Sequence, residues 1–365
     1  MYVEGNAKIK YHKKAFLNPK ARYLRDLSVA LVGCTLGNKA TLLDATSGTG
    51  IRGIRYCLEA GVKNVKFLDI NRDAYNATKR NVSFNGLKAD VINKSIQEYS
   101  CECDVRFDAI DIDPFGGIYP YVYDTMKISK DNSCMMLTST DAAVLCGAHE
   151  SACIRLYGSK PMHNELCHEV GLRIMANYAS RVAAQFNFGI EVMLSVFYAH
   201  YMRIFIRLKH GSSNAMESIK NTGYAYYCGK CGSRGYEKAF MPTVQSYAVC
   251  DSCGAKAMLV SGSMWLGNLY NKKITSTMLS YFKKNGFDNR ETGELSVLNE
   301  EFDTPFFYSV PKMTRLIGVK SVSPAVLIEK LLEVGYKATR THLDHDGIKT
   351  DANAKTITGL IRSAV

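Results

Sequence analysis

Residues 111–116, Asp-Ile-Asp-Pro-Phe-Gly, close an apolar strand (Ala109, Ile110, Ile112) with a carboxylate, a proline and a flat ring in succession. Asp113, the carbonyl of Pro114 and the ring of Phe115 then surround one small space that suits a planar exocyclic amine. Such an amine attacks a methyl donor poorly, because its lone pair is delocalised into the ring that carries it. If Asp113 and the Pro114 carbonyl accept its hydrogens, the lone pair turns toward the donor and the proton has a destination. Phe115 would stack on the base. The same six residues also read as an ordinary strand end, with Pro114 fixing φ and Gly116-Gly117 reversing the chain.

Upstream, residues 41–53 (Thr-Leu-Leu-Asp-Ala-Thr-Ser-Gly-Thr-Gly-Ile-Arg-Gly) predict a buried strand, a glycine turn, and a helix running to about Leu58. Gly48, Gly50 and Gly53 fit the GxGxxG spacing of a dinucleotide fold. Asp44 points elsewhere. At the strand end it would repel a pyrophosphate, but it suits the cationic amino group of a methionine moiety. A second strand, 65–68, runs into Asp69, whose carboxylate can accept two ribose hydroxyls of either cofactor. Together the two acids favour S-adenosylmethionine; a dinucleotide, or a glycine turn without a ligand, remains the alternative.

Four of the twelve cysteines form two CxxC pairs, Cys228/Cys231 and Cys250/Cys253, with 18 residues between the pairs and a glycine after each. This is the spacing of a zinc ribbon, in which two turns present four thiolates to one structural ion. A redox pair or a disulfide clasp is the alternative. The other eight cysteines are scattered in apolar or helical surroundings and read as buried thiols of a reducing cytosol. None looks like a nucleophile, so carbon methylation of a pyrimidine is disfavoured.

These groups need elements to hold them. Strands end near Asp44, Asp69 and Asp113, further strands are predicted over 133–138, 189–197 and 203–208, and helices fall between, the longest over 164–186. The alternation predicts an α/β fold with a doubly wound, mainly parallel sheet and a ligand site at the carboxyl ends of its strands. With 365 residues, 47% hydrophobic and 22% charged, two domains are expected. The composition shift after Leu208 predicts a catalytic domain over 1–209 and a smaller α+β domain over 210–365, with the ribbon at 224–262. No apolar run reaches membrane-spanning length, and the basic stretch 8–14 is followed by no secretory apolar segment, so a cytoplasmic protein without membrane contact is expected. A net charge of +12 favours a polyanionic partner. Basic, aromatic-bearing segments at 270–273, 281–284 and 336–340 could follow a phosphate backbone, although each alone reads as a solvated face; the cations expected there include Lys272, Lys273, Lys283, Lys284, Arg340 and Lys349.

On these residues the chain resembles the tRNA (guanine-26, 2-amino) dimethyltransferases. The resemblance spans nearly the whole chain: Glu4-Gly5, Phe-Leu-Asn-Pro at 16–19, Arg25-Asp26, Gly-Ile-Arg-Gly-Ile-Arg at 50–55 and Asp-Pro-Phe-Gly at 113–116. It continues with Thr-Ser-Thr-Asp at 138–141, Leu-Cys-Gly at 145–147, Tyr-Gly-Ser-Lys-Pro at 157–161 and His-Glu-Val-Gly-Leu-Arg at 168–173. After the cysteine pairs come Met-Trp-Leu-Gly at 264–267, Arg-Thr-His at 340–342 and Gly-Ile-Lys-Thr-Asp-Ala at 347–352. The resemblance implies a methyltransferase that uses S-adenosylmethionine and acts on tRNA, with structural zinc and no obligate protein partner. It implies that Arg25, Asp69 and the glycine loop hold the cofactor, with Asp44, Gly48, Gly50, Arg52, Ile70, Ser95 and Ile96 beside them. Phe16 and Phe115 would form a slot for the guanine ring, and Asp113 with Pro114 would engage its amine. Read without the resemblance, Phe16 is a core aromatic. One position departs: where the family commonly has Asp-Ala after the third strand, this chain has Ser95-Ile96. The alternatives are an amino-methyltransferase for another RNA or for DNA, and a zinc-bearing RNA-binding protein without catalysis.

Overall fold

The structure, a computed structural model, describes residues 1–10, 15–242, 248–256 and 258–364. Part of the basic stretch 8–14 and part of the expected ribbon lie outside these residues.

The chain divides into two compact units. The first comprises Met1–Asp141, Ala179–Ile219 and Tyr270–Glu291; the second comprises Ala142–Tyr178, Lys220–Leu269 and Thr292–Val365. The two units differ from the expected single boundary at 209/210: residues 142–178 fall in the second unit, and 270–291 return to the first. The return has a local cause. Asn271 caps the helix Lys272–Asn285 with its side-chain oxygen, donates its N–H to the Met193 carbonyl (3.0 Å), and donates through Nδ2 to Glu191 (2.6 Å). Tyr281 of the same helix donates to the Glu59 carbonyl at 2.8 Å.

In the first unit an N-terminal hairpin, β1 (Tyr2–Glu4) and β2 (Ala7–Ile9), precedes α1 (Arg22–Thr35), β3 (Thr41–Asp44), α2 (Ile51–Leu58), β4 (Asn64–Leu68), α3 (Arg72–Phe84), β5 (Val91–Ile92), α4 (Ile96–Glu102), β6 (Phe107–Ile112), α5 (Val122–Lys127) and β7 (Ser129–Ser139). Three short segments of the second unit's chain follow: α6 (Ala142–Leu145), α7 (Glu150–Tyr157) and the start of α8 (Cys167–Ala184). The chain then completes the sheet with the hairpin β8 (Phe188–Tyr198) and β9 (Tyr201–His210). The seven strands lie in the order β5-β4-β3-β6-β7-β9-β8. β5 through β7 are parallel, and β9 and β8 are antiparallel. Parallel strands covered on both faces are apolar throughout, as in Leu42, Leu43, Ala109, Ile110 and Ile112, all wholly buried. The strand order reverses between β3 and β6, so Asp44 and Asp113 reach the crevice where such sheets take ligands.

The second unit contains the antiparallel sheet β11 (Arg234–Glu237), β10 (Thr222–Tyr227), β12 (Leu259–Trp265) and a further three-stranded sheet built from Tyr308–Ser309, Gly347–Thr350 and Ala338–Arg340. The latter packs its Ile348 with Met313, Leu327, Leu331, Ile357 and Ile361 of the flanking helices in one apolar core. The α/β sheet with a smaller α+β part matches the expected fold class. No helix among the described residues is long and apolar enough to cross a membrane.

Candidate active site

Parallel register sets Asp44 of β3 directly opposite Asp111 of β6. Two carboxylates at 2% and 0% exposure cannot both be charged without partners. Arg203 of β9 meets Asp111 with Nη2 at 2.8 and 2.9 Å from its two oxygens, and Arg52 of α2 adds Nη1 at 3.3 Å. Tyr56 also donates its hydroxyl to Asp111. Arg203 is itself held by the hydroxyls of Thr138 and Ser28.

The other end of the Arg52 guanidinium, Nη2, pairs with Asp113. Asp113 is the cluster's solvent-facing member, its side chain 20% exposed, and its backbone N–H donates to Thr46 Oγ1 at 2.7 Å. Burial would raise the Asp113 carboxyl, but the charges of Arg52 and Arg203 and the Arg52 hydrogen bond hold it below its ordinary range. Asp44 receives one hydrogen bond, from the Gly53 N–H at 3.0 Å. Burial, and then the charge of Asp111, push its carboxyl up to about 7 against the pull of Arg52. Three carboxylates thus face two guanidiniums, and the missing positive charge is concentrated at Asp44.

The glycine loop is shaped by its neighbours. Gly48 (φ +57°) comes so near the Phe16 carbonyl that a Cβ would lie 3.1 Å from it, and Gly50 (φ +80°) begins α2 in the left-handed region. A Cβ on Gly53 would lie 2.3 Å from the Phe67 ring, so the third glycine allows helix and strand to pack closely. Asp69 accepts the N–H of Gly48 (2.8 Å) and of Asn71 (2.9 Å), one on each oxygen. Each oxygen keeps a lone pair for a diol. Beside it, Ile70 is 71% exposed, a large apolar surface that suits a stacked base. Burial raises the Asp69 carboxyl, opposed by those two backbone hydrogen bonds.

Phe16, Asp113, Pro114, Phe115, Thr140, His200 and Tyr201 line a cavity of about 340 Å³. Among the described residues the Pro114 carbonyl accepts no hydrogen bond, which leaves it available as an acceptor. Phe16 and Phe115 are 51% and 74% exposed, so Phe16 is not a core aromatic. Nor do they form an open slot. Their ring centroids are 4.6 Å apart at 72°, edge to face, whereas a base between two rings needs them parallel and two stacking distances apart.

Two further residues expected at the cofactor have partners within the protein. Arg25, 3% exposed, is occupied within the protein: it donates to both oxygens of Glu4 (2.6 and 2.5 Å) and to the Asn18 carbonyl (3.1 Å). It braces the 16–18 segment, and its charge also acts on Asp113 at the site. Ser95 is the N-cap of α4: its hydroxyl accepts the Glu98 N–H and bonds the Glu98 carboxylate, which also accepts the Ser95 N–H. Serine and aspartate cap helices about equally well, so the departure at 95 preserves the helix start. Ile96, 3% exposed, is buried beside it.

Sequence reading missed Asp111, Arg203, Tyr56, Thr46 and the β8–β9 turn. Asp111 carried a usable signal, because a charge two residues before Asp113 on an apolar strand shares its face. Ala199 and His200 form the turn with φ of +45° and +75°, and the turn places His200 at the cavity.

In the second unit the four ribbon sulfurs lie within 4.8 Å of one another, with Cys228–Cys253 and Cys231–Cys250 each 3.6 Å apart. Two equivalent turns present them: Gly232 donates to the Cys228 carbonyl and Gly254 to that of Cys250, with φ of +72° and +68°. Sulfurs on a tetrahedral zinc at about 2.3 Å would be about 3.8 Å apart, and disulfide sulfurs about 2.05 Å. The spacing fits an ion rather than a clasp.

Of the cations expected on a phosphate backbone, Lys272, Lys273, Lys283 and Lys284 are exposed, but they belong to the first unit. Lys349 is excluded. It is 2% exposed, with Nζ 3.2 Å from both Glu169 and Glu301.

The chain matches the family model described as N2,N2-dimethylguanosine tRNA methyltransferase over residues 1–362. The tRNA (guanine(26)-N(2))-dimethyltransferase of Pyrococcus abyssi is 34% identical, over 99% of this chain and 98% of that protein. Its counterpart from Pyrococcus horikoshii is 35% identical, over 96% and 94%. Trm1 from Pyrococcus horikoshii, solved as a complex with S-adenosyl-L-methionine, is similar with a TM-score of 0.90 and 33% identity over 99% of both chains. Full-length identity, matching fold and the carboxylates at the sheet's switch point agree: the chain belongs to the N2,N2-dimethylguanosine tRNA methyltransferase family.

Proposed function

We propose that the protein transfers one or two methyl groups from S-adenosylmethionine to the 2-amino group of guanine 26 of tRNA. The supporting observation is the Asp44–Asp111–Asp113 cluster with its two guanidiniums, one positive charge short and open to the cavity at Asp113. A methionine ammonium supplies the missing charge at Asp44, while Asp69 takes the ribose diol and Ile70 the adenine face. The donor contributes an electrophilic methyl on a positively charged sulfur.

The chain's own residues do the rest. A guanine in folded tRNA is turned out of its stack at a cost of a few kcal/mol. Phe16 and Phe115 offset this by stacking, after the edge-to-face pair opens or with the base on an outer ring face. Asp113, kept ionised by Arg52, and the Pro114 carbonyl accept the two amine hydrogens, direct the lone pair at the methyl, and take or relay the proton released. The monomethyl product keeps one hydrogen, so a second transfer uses the same acceptors after cofactor exchange.

Zinc at Cys228, Cys231, Cys250 and Cys253 holds the ribbon and takes no part in methyl transfer. The exposed lysines of helix Lys272–Asn285 and the second unit dock the tRNA backbone, positioning the substrate without reading its bases.

The test is nucleoside mass spectrometry of unmodified tRNA incubated with the full chain and S-adenosylmethionine, beside a transcript carrying adenine at position 26. Mono- and dimethylated guanosine should form in the first and not the second. Equal methylation of both transcripts, or a methyl on another nucleoside, refutes the assignment.

A further inference from the structure

The second unit holds a thiol cluster apart from the ribbon. Cys146 follows α6, and Cys167 and His168 open the 18-residue helix α8. Their ligand atoms lie within 4.8 Å of one another, and all three residues are part-exposed. The backbone holds the two segments in place: His163 Nδ1 bonds the Cys146 carbonyl at 3.0 Å, and Gly147 (φ +88°) lets His163 come so close that a Cβ there would be 3.0 Å from it. At the helix start the Asn164 side chain accepts the Leu166 N–H, and its carbonyl accepts that of Cys167.

We infer that Cys146 and Cys167 form a peroxide-reactive dithiol, in which Cys167 is the nucleophile and Cys146 the resolving thiol. A cysteine at the N-terminus of a long helix, beside imidazoles, favours its thiolate. The hydrogen bond from the Cys146 thiol, followed by His168 and His163, lowers the Cys167 thiol well below the usual range despite its burial; the same bond raises Cys146. A low thiol next to a second one, within reach of solvent, is the arrangement of oxidant-sensing cysteines. The other thiols with resolved shifts outside the ribbon behave in the opposite way: burial raises Cys34 and Cys57 to about 11 and Cys134 to about 12.

The chemistry balances with hydrogen peroxide as oxidant. The Cys167 thiolate attacks one peroxide oxygen, the O–O bond breaks, and the departing hydroxide takes a proton to become water, leaving a sulfenic acid. Cys146 loses its proton, attacks Cys167 Sγ, and expels hydroxide, which takes that proton. Two thiols and one peroxide become a disulfide and two waters.

The experiment uses the reduced, zinc-loaded full chain. Under limiting iodoacetamide at pH 7, peptide mapping should find Cys167 alkylated at least about tenfold faster than Cys34 and Cys57. Peroxide should produce a Cys146–Cys167 linked peptide. Cys146→Ser should instead leave a sulfenic acid on Cys167 that dimedone traps, and Cys167→Ser should abolish both products. Alkylation of Cys167 no faster than of Cys34 overturns the inference. So does elemental analysis showing a metal beyond the ribbon's that is lost in Cys167→Ser, which would make the cluster a metal site. The wild-type alkylation rates decide even if a variant fails to fold.

Discussion

Binding of S-adenosylmethionine should expel a proton from Asp44. The ligand-free carboxyl sits near 7, because it is buried and faces Asp111 across the strand pair. An ammonium within about 4–6 Å lowers a carboxyl by roughly 1–3 units. Taking a fall from about 7 to about 5, binding releases about 0.8 proton at pH 6, about half a proton at pH 7, and almost none at pH 9. Affinity then rises with pH by up to about tenfold per unit between the two values, about a hundredfold in all. Titration calorimetry in buffers of different ionisation enthalpy counts the protons. The ligand's own α-amino group titrates near about 8, so the readout is the difference between wild type and Asp44→Asn. That variant should lose the release at pH 6, bind more weakly at pH 8, and have a flat affinity profile between pH 5 and 7. In the ligand-free protein the folded-state value lies above an unfolded value of about 3.9. The protonated carboxyl's contribution to stability is thus full below about pH 4 and lost as pH rises through about 7, a difference of at most about 4 kcal/mol. Equal proton release at pH 6 from wild type and Asp44→Asn would refute the reasoning.

Asp113→Asn should lower turnover by about two to four orders of magnitude, about 2.7–5.4 kcal/mol of barrier, with tRNA affinity by gel shift unchanged; normal turnover would remove Asp113 from the chemistry. Arg203→Met leaves Asp111 without its fully buried partner and should destabilise the fold by about 3–5 kcal/mol in denaturant titration, and a loss below about 1 kcal/mol would mean that Arg52 and Tyr56 suffice. Elemental analysis should find one zinc per chain at the ribbon, falling to none there in Cys250→Ser together with a lower melting temperature; zinc retained by that variant contradicts the four-thiolate site. Changing Lys283 and Lys284 together to Gln should weaken tRNA binding and flatten its salt dependence by up to about 1.8 units of slope, while cofactor affinity stays constant. An unchanged slope would make them a solvated helix end.

Local signals were legible because their physics is local. Strand ends at Asp44, Asp69 and Asp113 follow from apolar runs interrupted by charge, and both CxxC-Gly turns from short-range spacing. The cap of α4 was written as Ser-x-x-Glu at 95–98. The family, too, was legible from ordered motifs. What tertiary structure decided was which buried charge meets which. Asp111 had to find a cation, since an unpaired charge cannot stay in the core. That the cation is Arg203, 92 positions away, depends on β9 returning beside β7. Lys349 looked like a docking lysine until the fold placed it against Glu169, 180 positions distant. The two aromatic rings were predicted as a pair, but their closed, edge-to-face contact was not. The units are discontinuous for the same reason: periodicity records which face of an element avoids water, and only packing decides which other face, however remote in the chain, covers it.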